Sequence, residues 1–163
     1  MTQLEEIYMK KILSVVLCAF MLFTCAALPV YADSTLKFDP GYTTFTSDGE
    51  EFIVRTYSSE QRARNSGGAE KTMGIEVLTP TGQTVYNVSC TFVFHYDSAT
   101  NYVKVVSLRT NVHEDSGYGF THSAISYMVG IGVEEVKLTV CDRYGVEKDS
   151  RIMRCYSDGH TEG

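Results

Sequence analysis

Tryptophan, proline and an excess of positive charge are what this sequence lacks. Its 163 residues include no Trp and only three Pro, and 14 Lys and Arg stand against 20 Asp and Glu, a net charge of −6. This negative charge argues against binding to the phosphate backbone of nucleic acids, and the absence of Trp argues against a stacking platform for sugars. Because 44% of the residues are hydrophobic, the chain is too apolar to stay disordered. The composition predicts one small globular domain.

The longest hydrophobic run lies near the N-terminus and is typical of a secretory signal peptide. Met9-Lys10-Lys11 supplies the basic start, and residues 12–28 are almost entirely apolar. Val30 and Ala32 then occupy positions −3 and −1 of a cleavage site, so we expect cleavage between Ala32 and Asp33. The pattern predicts an exported protein that is free of the membrane once it has been cleaved.

A signal peptide over 9–32 leaves 33–163 as the mature chain, which we expect to be a single extracellular domain. Residues 1–8 do not suit a signal peptide, because acidic residues there precede the basic start. We therefore expect Met9 to be the true start and residues 1–8 to be an upstream extension. Two alternatives stay open: a retained membrane anchor, since the run approaches the roughly 20 residues that span a bilayer, and a lipoprotein modified at Cys25.

The mature chain shows the two-residue alternation of β-strands and no helical periodicity. Alternating runs predict strands at 51–57, 73–79, 84–97, 102–110, 136–140 and 150–156. Seven to nine short strands without helices predict an all-β fold, namely an antiparallel β-sandwich with an immunoglobulin-like topology. Between the strands we expect a mobile loop or single helical turn at 59–68, a polar connection at 113–119, and a frayed tail at 157–163.

Turn residues and strand faces refine this prediction. Pro80-Thr81-Gly82 and 97–101 are expected to close hairpins, and Gly145 suits a left-handed position in a turn after residue 141. Phe92 and Phe94 share one face of their strand, and alternate residues over 136–140 form an apolar stripe that we expect to point inward.

Three cysteines remain in the mature chain, an odd number for an exported protein: Cys90, Cys141 and Cys155. At most one bridge can form within the chain. Cys141–Cys155 is the preferred pair because it closes a short loop around the last predicted hairpin, and Cys90–Cys141 is the alternative. Three buried free thiols are an equally open interpretation.

Histidines and carboxylates supply the residue types that bind metals. A two-His, one-carboxylate set is a known metal site, and His95, His113, Asp115 and His122 are the candidate ligands. These residues make a metal-dependent hydrolase one hypothesis for the function, ranked behind the binding module and the effector that are described below. A solvated turn and a histidine on a strand face explain the same residues equally simply. The acidic turn at 48–51 can likewise hold Ca²⁺ or simply be solvated. We predict no cofactor and no catalytic residue.

Three segments resemble a family of uncharacterised small secreted all-β proteins from Gram-positive gut bacteria. They are the Phe/Tyr-rich strand over 92–97, the Val-rich strand over 102–107, and the closing hairpin over 136–145. The resemblance covers about half of the mature chain. It implies export and an all-β fold, and it carries over no catalytic or binding residue.

Tyrosines near predicted loops suggest a recognition surface. Nine Tyr remain in the mature chain, and Tyr provides contact area at low entropy cost. Tyr118, Phe120 and Tyr144 are the candidate binding residues. We expect a secreted, non-enzymatic module that binds an unidentified extracellular protein or glycan through its end loops. A secreted effector, bacteriocin-like or toxin-like, is the alternative.

Overall fold

The strands of this protein form two antiparallel sheets that pack together. A computed structural model of the chain describes residues 36–64, 67–114 and 117–163, and these contain eleven strands rather than the seven to nine predicted. The strands are β1 (Lys37–Phe38), β2 (Thr43–Ser47), β3 (Glu50–Ser58), β4 (Arg62–Arg64), β5 (Gly68–Leu78), β6 (Thr84–Asp97), β7 (Tyr102–Glu114), β8 (Thr121–Gly130), β9 (Val133–Cys141), β10 (Glu147–Tyr156) and β11 (Thr161–Glu162). Over these ranges, no helix has the length and apolar character needed to cross a bilayer.

Both sheets are antiparallel meanders. The first has the order β1-β3-β5-β6-β7, with β2 also beside β3 and β4 also beside β5, and the second has the order β11-β10-β9-β8. The predicted all-β antiparallel sandwich is therefore confirmed. The immunoglobulin-like topology is not, because that topology needs Greek-key connections. Here, apart from the short strands β2 and β4, every neighbour within a sheet is the next strand in the chain.

The core lies between the two sheets and follows the predicted strand faces. On β6, the side chains of Phe92 and Phe94 are fully buried, and on β9 those of Val136, Leu138 and Val140 are fully buried as well. These residues belong to one hydrophobic cluster with members from both sheets. Alternating burial is what a strand with one face on a core must show, so both predicted stripes are confirmed.

Two segments expected to be irregular pair as strands. β4 lies inside the predicted loop at 59–68 and pairs with the start of β5. The Ser59 backbone N–H donates to the Thr72 carbonyl (2.8 Å), and the Ser59 side-chain oxygen accepts from the Thr72 N–H (2.9 Å), so the chain stays against β5. β11 lies in the predicted frayed tail and pairs with the end of β10, where the rings of Tyr156 and His160 stack 4.1 Å apart.

Candidate functional site

Hairpin connections place several turns at one end of the sandwich. The β2–β3 turn, the described residues 117–120 before β8, and the β9–β10 turn meet there. They line a small cavity of about 50 Å³ with Ser47, Asp48, Glu50, Phe52, Tyr118, Phe120 and Arg143. We call the exposed part of this region, formed by Asp48, Glu50, Tyr118, Arg143 and Tyr144, the turn-end surface.

The β2–β3 turn holds Asp48 in a fixed position. Asp48 and Gly49 have φ angles of +52° and +82°, as in the tight Asp-Gly turn that suits the twist of a two-residue hairpin. The Asp48 carboxylate pairs with the Arg143 Nε at 2.9 Å and accepts a hydrogen bond from the Tyr144 hydroxyl at 3.1 Å. Asp48 therefore joins two turns that are far apart in the sequence, and its acidic turn is not simply solvated.

The Asp142 carboxylate organises the β9–β10 turn from within. The buried Asp142 carboxylate accepts the backbone N–H groups of Tyr144 (2.9 Å) and Val146 (3.0 Å) and pairs with Lys148 (3.0 Å). Burial acts to raise the pKa of Asp142, but Lys148 and the two N–H groups outweigh it and lower the pKa. Gly145 has a φ of +78°, as predicted for this turn. Tyr144 consequently stands outward with 71% of its surface exposed.

Two of the three predicted binding residues lie at this surface, and the third does not. Tyr144 is exposed, and Tyr118 is half-buried with its ring edge-on to Phe52 at 5.2 Å, where the charge of Glu50 raises the Tyr118 pKa. Phe120 is 5% exposed and packs on Phe52. The apolar ring of Phe120 therefore belongs to the core beneath the turn-end surface and not to the surface where a partner was predicted to bind.

The structure does not bring the predicted metal ligands together. His113 lies opposite Asn87, and His95 is eight residues farther along β6, which separates the two histidines by about 27 Å. His122 is in the other sheet, where its Nδ1 is 2.9 Å from the Tyr86 hydroxyl. Asp115 lies outside the described residues. Across the ranges that the structure describes, no three His, Cys, Asp or Glu are placed to hold a metal ion, so the predicted site is wrong there.

The predicted disulfide is also wrong, because the three cysteines among the described residues are free thiols. Cys141 lies opposite Glu147, whereas Cys155 lies opposite Glu134 at the other end of the same strand pair. Seven residues of strand separate those positions, about 23 Å, whereas a bridge needs Cα atoms within about 7 Å. Cys90 is a free thiol as well, so the alternative pair with Cys141 does not form in this structure either.

The free cysteines lead to a labelling prediction. Burial raises the pKa of Cys90 to about 11 and that of Cys155 to about 12, and both side chains are fully buried. Since the thiolate is the reactive form, iodoacetamide is expected to label the folded chain 33–163 at Cys141 alone, and slowly. Intact-mass spectrometry should then show three adducts after unfolding without a reductant. A single adduct under those unfolding conditions would reveal a bridge and contradict the structure.

A second surface, which the sequence reasoning missed, is the outer edge of β8. Five apolar side chains on β8 and the turn after it are 38 to 89% exposed: Ile125, Tyr127, Met128, Val129 and Ile131. None of the described strands pairs with the side of β8 that faces away from β9. One feature of the sequence could have revealed this surface: residues 121–133 contain no Asp, Glu, Lys or Arg.

A cleft of about 330 Å³ lies between β2, β3 and β10, and its polar groups serve the fold. The Arg151 guanidinium pairs with Asp39 at 3.0 Å and donates to the Gly163 carbonyl at 2.8 Å. Asp39 in turn accepts from the Thr56 hydroxyl. Asp149, the other charged residue that lines the cleft, accepts hydrogen bonds from the Thr43 hydroxyl and the Ser150 N–H, and the buried Arg151 Nε has no hydrogen-bond partner among the described residues.

Fold and surface together define a small antiparallel β-sandwich with a polar, tyrosine-bearing end and one uncharged open edge. No protein family, no curated protein and no solved structure matches the chain.

Proposed function

We propose that this chain is an exported, non-enzymatic binding module that recognises an extracellular protein or glycan through its turn-end surface. The observation that carries the proposal is Tyr144, an aromatic side chain 71% exposed yet held in place by its hydrogen bond to Asp48. An exposed aromatic ring normally loses rotamer freedom on binding, which weakens affinity. Here the folded chain has already fixed much of that freedom, which favours recognition.

The surface also offers polar chemistry suited to a protein or a glycan. Arg143 and Asp48 form an ion pair whose side chains are 46% and 37% exposed, so each retains capacity for further hydrogen bonds. Tyr118 adds a phenolic hydroxyl beside the Glu50 carboxylate. Tyr and Arg are the residues most often found at binding hot spots, and turns on a rigid sandwich are a frequent location for recognition.

The proposal is tested by selecting ligands for the chain 33–163, which includes the compact unit Ser34–Gly163. The probes are a random peptide library and an array of defined glycans. We expect Tyr144→Ala to weaken the selected ligands about tenfold or more, as loss of a hot-spot side chain does. The matched control is Tyr102→Ala, because Tyr102 is 46% exposed at the opposite end of the sandwich. Ligands that bind Tyr144→Ala as well as the parent chain would contradict the proposal.

Export is a separate part of the proposal and has its own measurement. The product of the full gene, harvested outside the producing cell, is expected to begin at Asp33 when its N-terminus is sequenced. A product that begins upstream of Asp33, or one retained in the cell, would contradict export and leave the binding test unaffected.

A further inference from the structure

β8 is an edge strand that lacks the charges and prolines that normally protect an edge, and its one irregularity is a bulge near its end, between Met128 and Gly130. Natural proteins keep exposed edges short, or place charges and prolines on them, because an open row of N–H and C=O groups otherwise pairs with another chain. β8 is ten residues long and has no charged residue and no proline. Its second half, residues 125–130, is exposed along its whole length.

The remaining edges of the described sheets are protected. β1, β2, β4 and β11 are only two to five residues long. β7 is long but carries Lys104, Arg109 and Glu114. The part of β10 that β11 leaves uncovered carries four charged residues between 147 and 151. The lack of protection is specific to β8.

The charge pattern favours a second copy of this chain as the occupant. Two copies with a net charge of −6 each repel one another over most of their surfaces. When two β8 strands pair antiparallel, uncharged residues face uncharged residues in every register, because residues 121–133 contain no Asp, Glu, Lys or Arg. A partner recognised by its charge would find nothing to bind along this strand.

We infer that two copies pair β8 with β8, antiparallel and about a two-fold axis, and join their four-stranded sheets into one continuous sheet. This goes beyond the proposed function and does not depend on it, since none of the residues that form the turn-end surface lies on β8. A dimer presents that surface twice, which raises the apparent affinity for a multivalent target.

The test is sedimentation velocity of the chain 33–163 from about 1 μM to about 200 μM, with a reductant present so that Cys141 cannot link two copies. The parent chain is expected to form a dimer. Met128→Lys is expected to raise the dimer dissociation constant about tenfold or more, because a two-fold contact includes the substitution twice and residues 121–133 offer no carboxylate to pair with either lysine. Met128 is 69% exposed, so the fold tolerates lysine there.

The matched control is Val112→Lys, a substitution at a 40% exposed valine on β7, the other long edge strand. It is expected to leave the dissociation constant within about threefold of the parent value. Hydrogen exchange provides a second measurement, with amides in 121–131 gaining protection as the concentration rises. A parent chain that stays monomeric throughout, that forms open-ended aggregates, or whose dimer survives Met128→Lys would overturn the inference.

Discussion

Replacing Phe92 with alanine is expected to lower the free energy of unfolding by about 3 to 5 kcal/mol. Phe92 is fully buried in the cluster that joins the two sheets, and its ring centroid lies 6.3 Å from that of Phe94. Truncation removes its apolar contacts and leaves a cavity that strands from both sheets cannot close without losing their register. The measurement is urea unfolding of the chain 33–163, followed by circular dichroism.

The control for this prediction is Tyr42→Ala, an aromatic truncation at a side chain that is 69% exposed. It is expected to change the free energy of unfolding by about 0.5 kcal/mol or less. Equal losses for Phe92→Ala and Tyr42→Ala would mean that the two sheets do not share this core.

Gly74→Ala is expected to destabilise the protein by about 3 kcal/mol, at the upper end for overpacking. A Cβ atom at Gly74 would lie between 2.1 and 2.5 Å from atoms of the Tyr57 ring. Tyr57 cannot easily move aside, because it is buried and its hydroxyl donates to Asn87 at 2.7 Å. Gly130→Ala is the matched control, since a Cβ there meets nothing within 4 Å.

The double variant Gly74→Ala with Tyr57→Ala identifies the cause. Removal of the ring also removes the clash, so the double variant is expected to lose at least 1 kcal/mol less than the two single losses combined. The measurement is thermal or urea unfolding of the parent chain, the two single variants and the double variant, which together form a double-mutant cycle. Strictly additive losses would show that the cost of Gly74→Ala does not arise at Tyr57.

The sequence predicted strands best where a strand has one face on the core. The inward residues of β9 alternate with polar residues, and Phe92 and Phe94 recur with the two-residue period of a run rich in β-branched and aromatic residues, which is why those strands were predicted. β8 was missed because both of its faces are exposed over 125–130, so burial imposes no alternation on its residues. β4 was missed because its pairing depends on Ser59, whose hydrogen bonds to Thr72 cannot be recognised from spacing.

The individual turns of the candidate site could be predicted from the sequence, but the contacts between those turns could not. Tyr144 was found from its turn, and 48–51 was recognised as an acidic turn. The pairing of Asp48 with Arg143 depends on how the two sheets pack, which local patterns do not encode. The error at Cys141 and Cys155 has the same origin. Both cysteines flank the predicted hairpin, but only the strand register shows that they lie at its opposite ends.

The most direct test of the binding function is a titration of ¹⁵N-labelled chain 33–163 with a selected ligand, followed by amide chemical shifts. Binding at the turn-end surface predicts that the largest shifts occur in 47–50, 117–120 and 142–146, around the Tyr144 ring. Shifts centred instead on the turns at 97–101 and 157–160, at the other end of the sandwich, would contradict it.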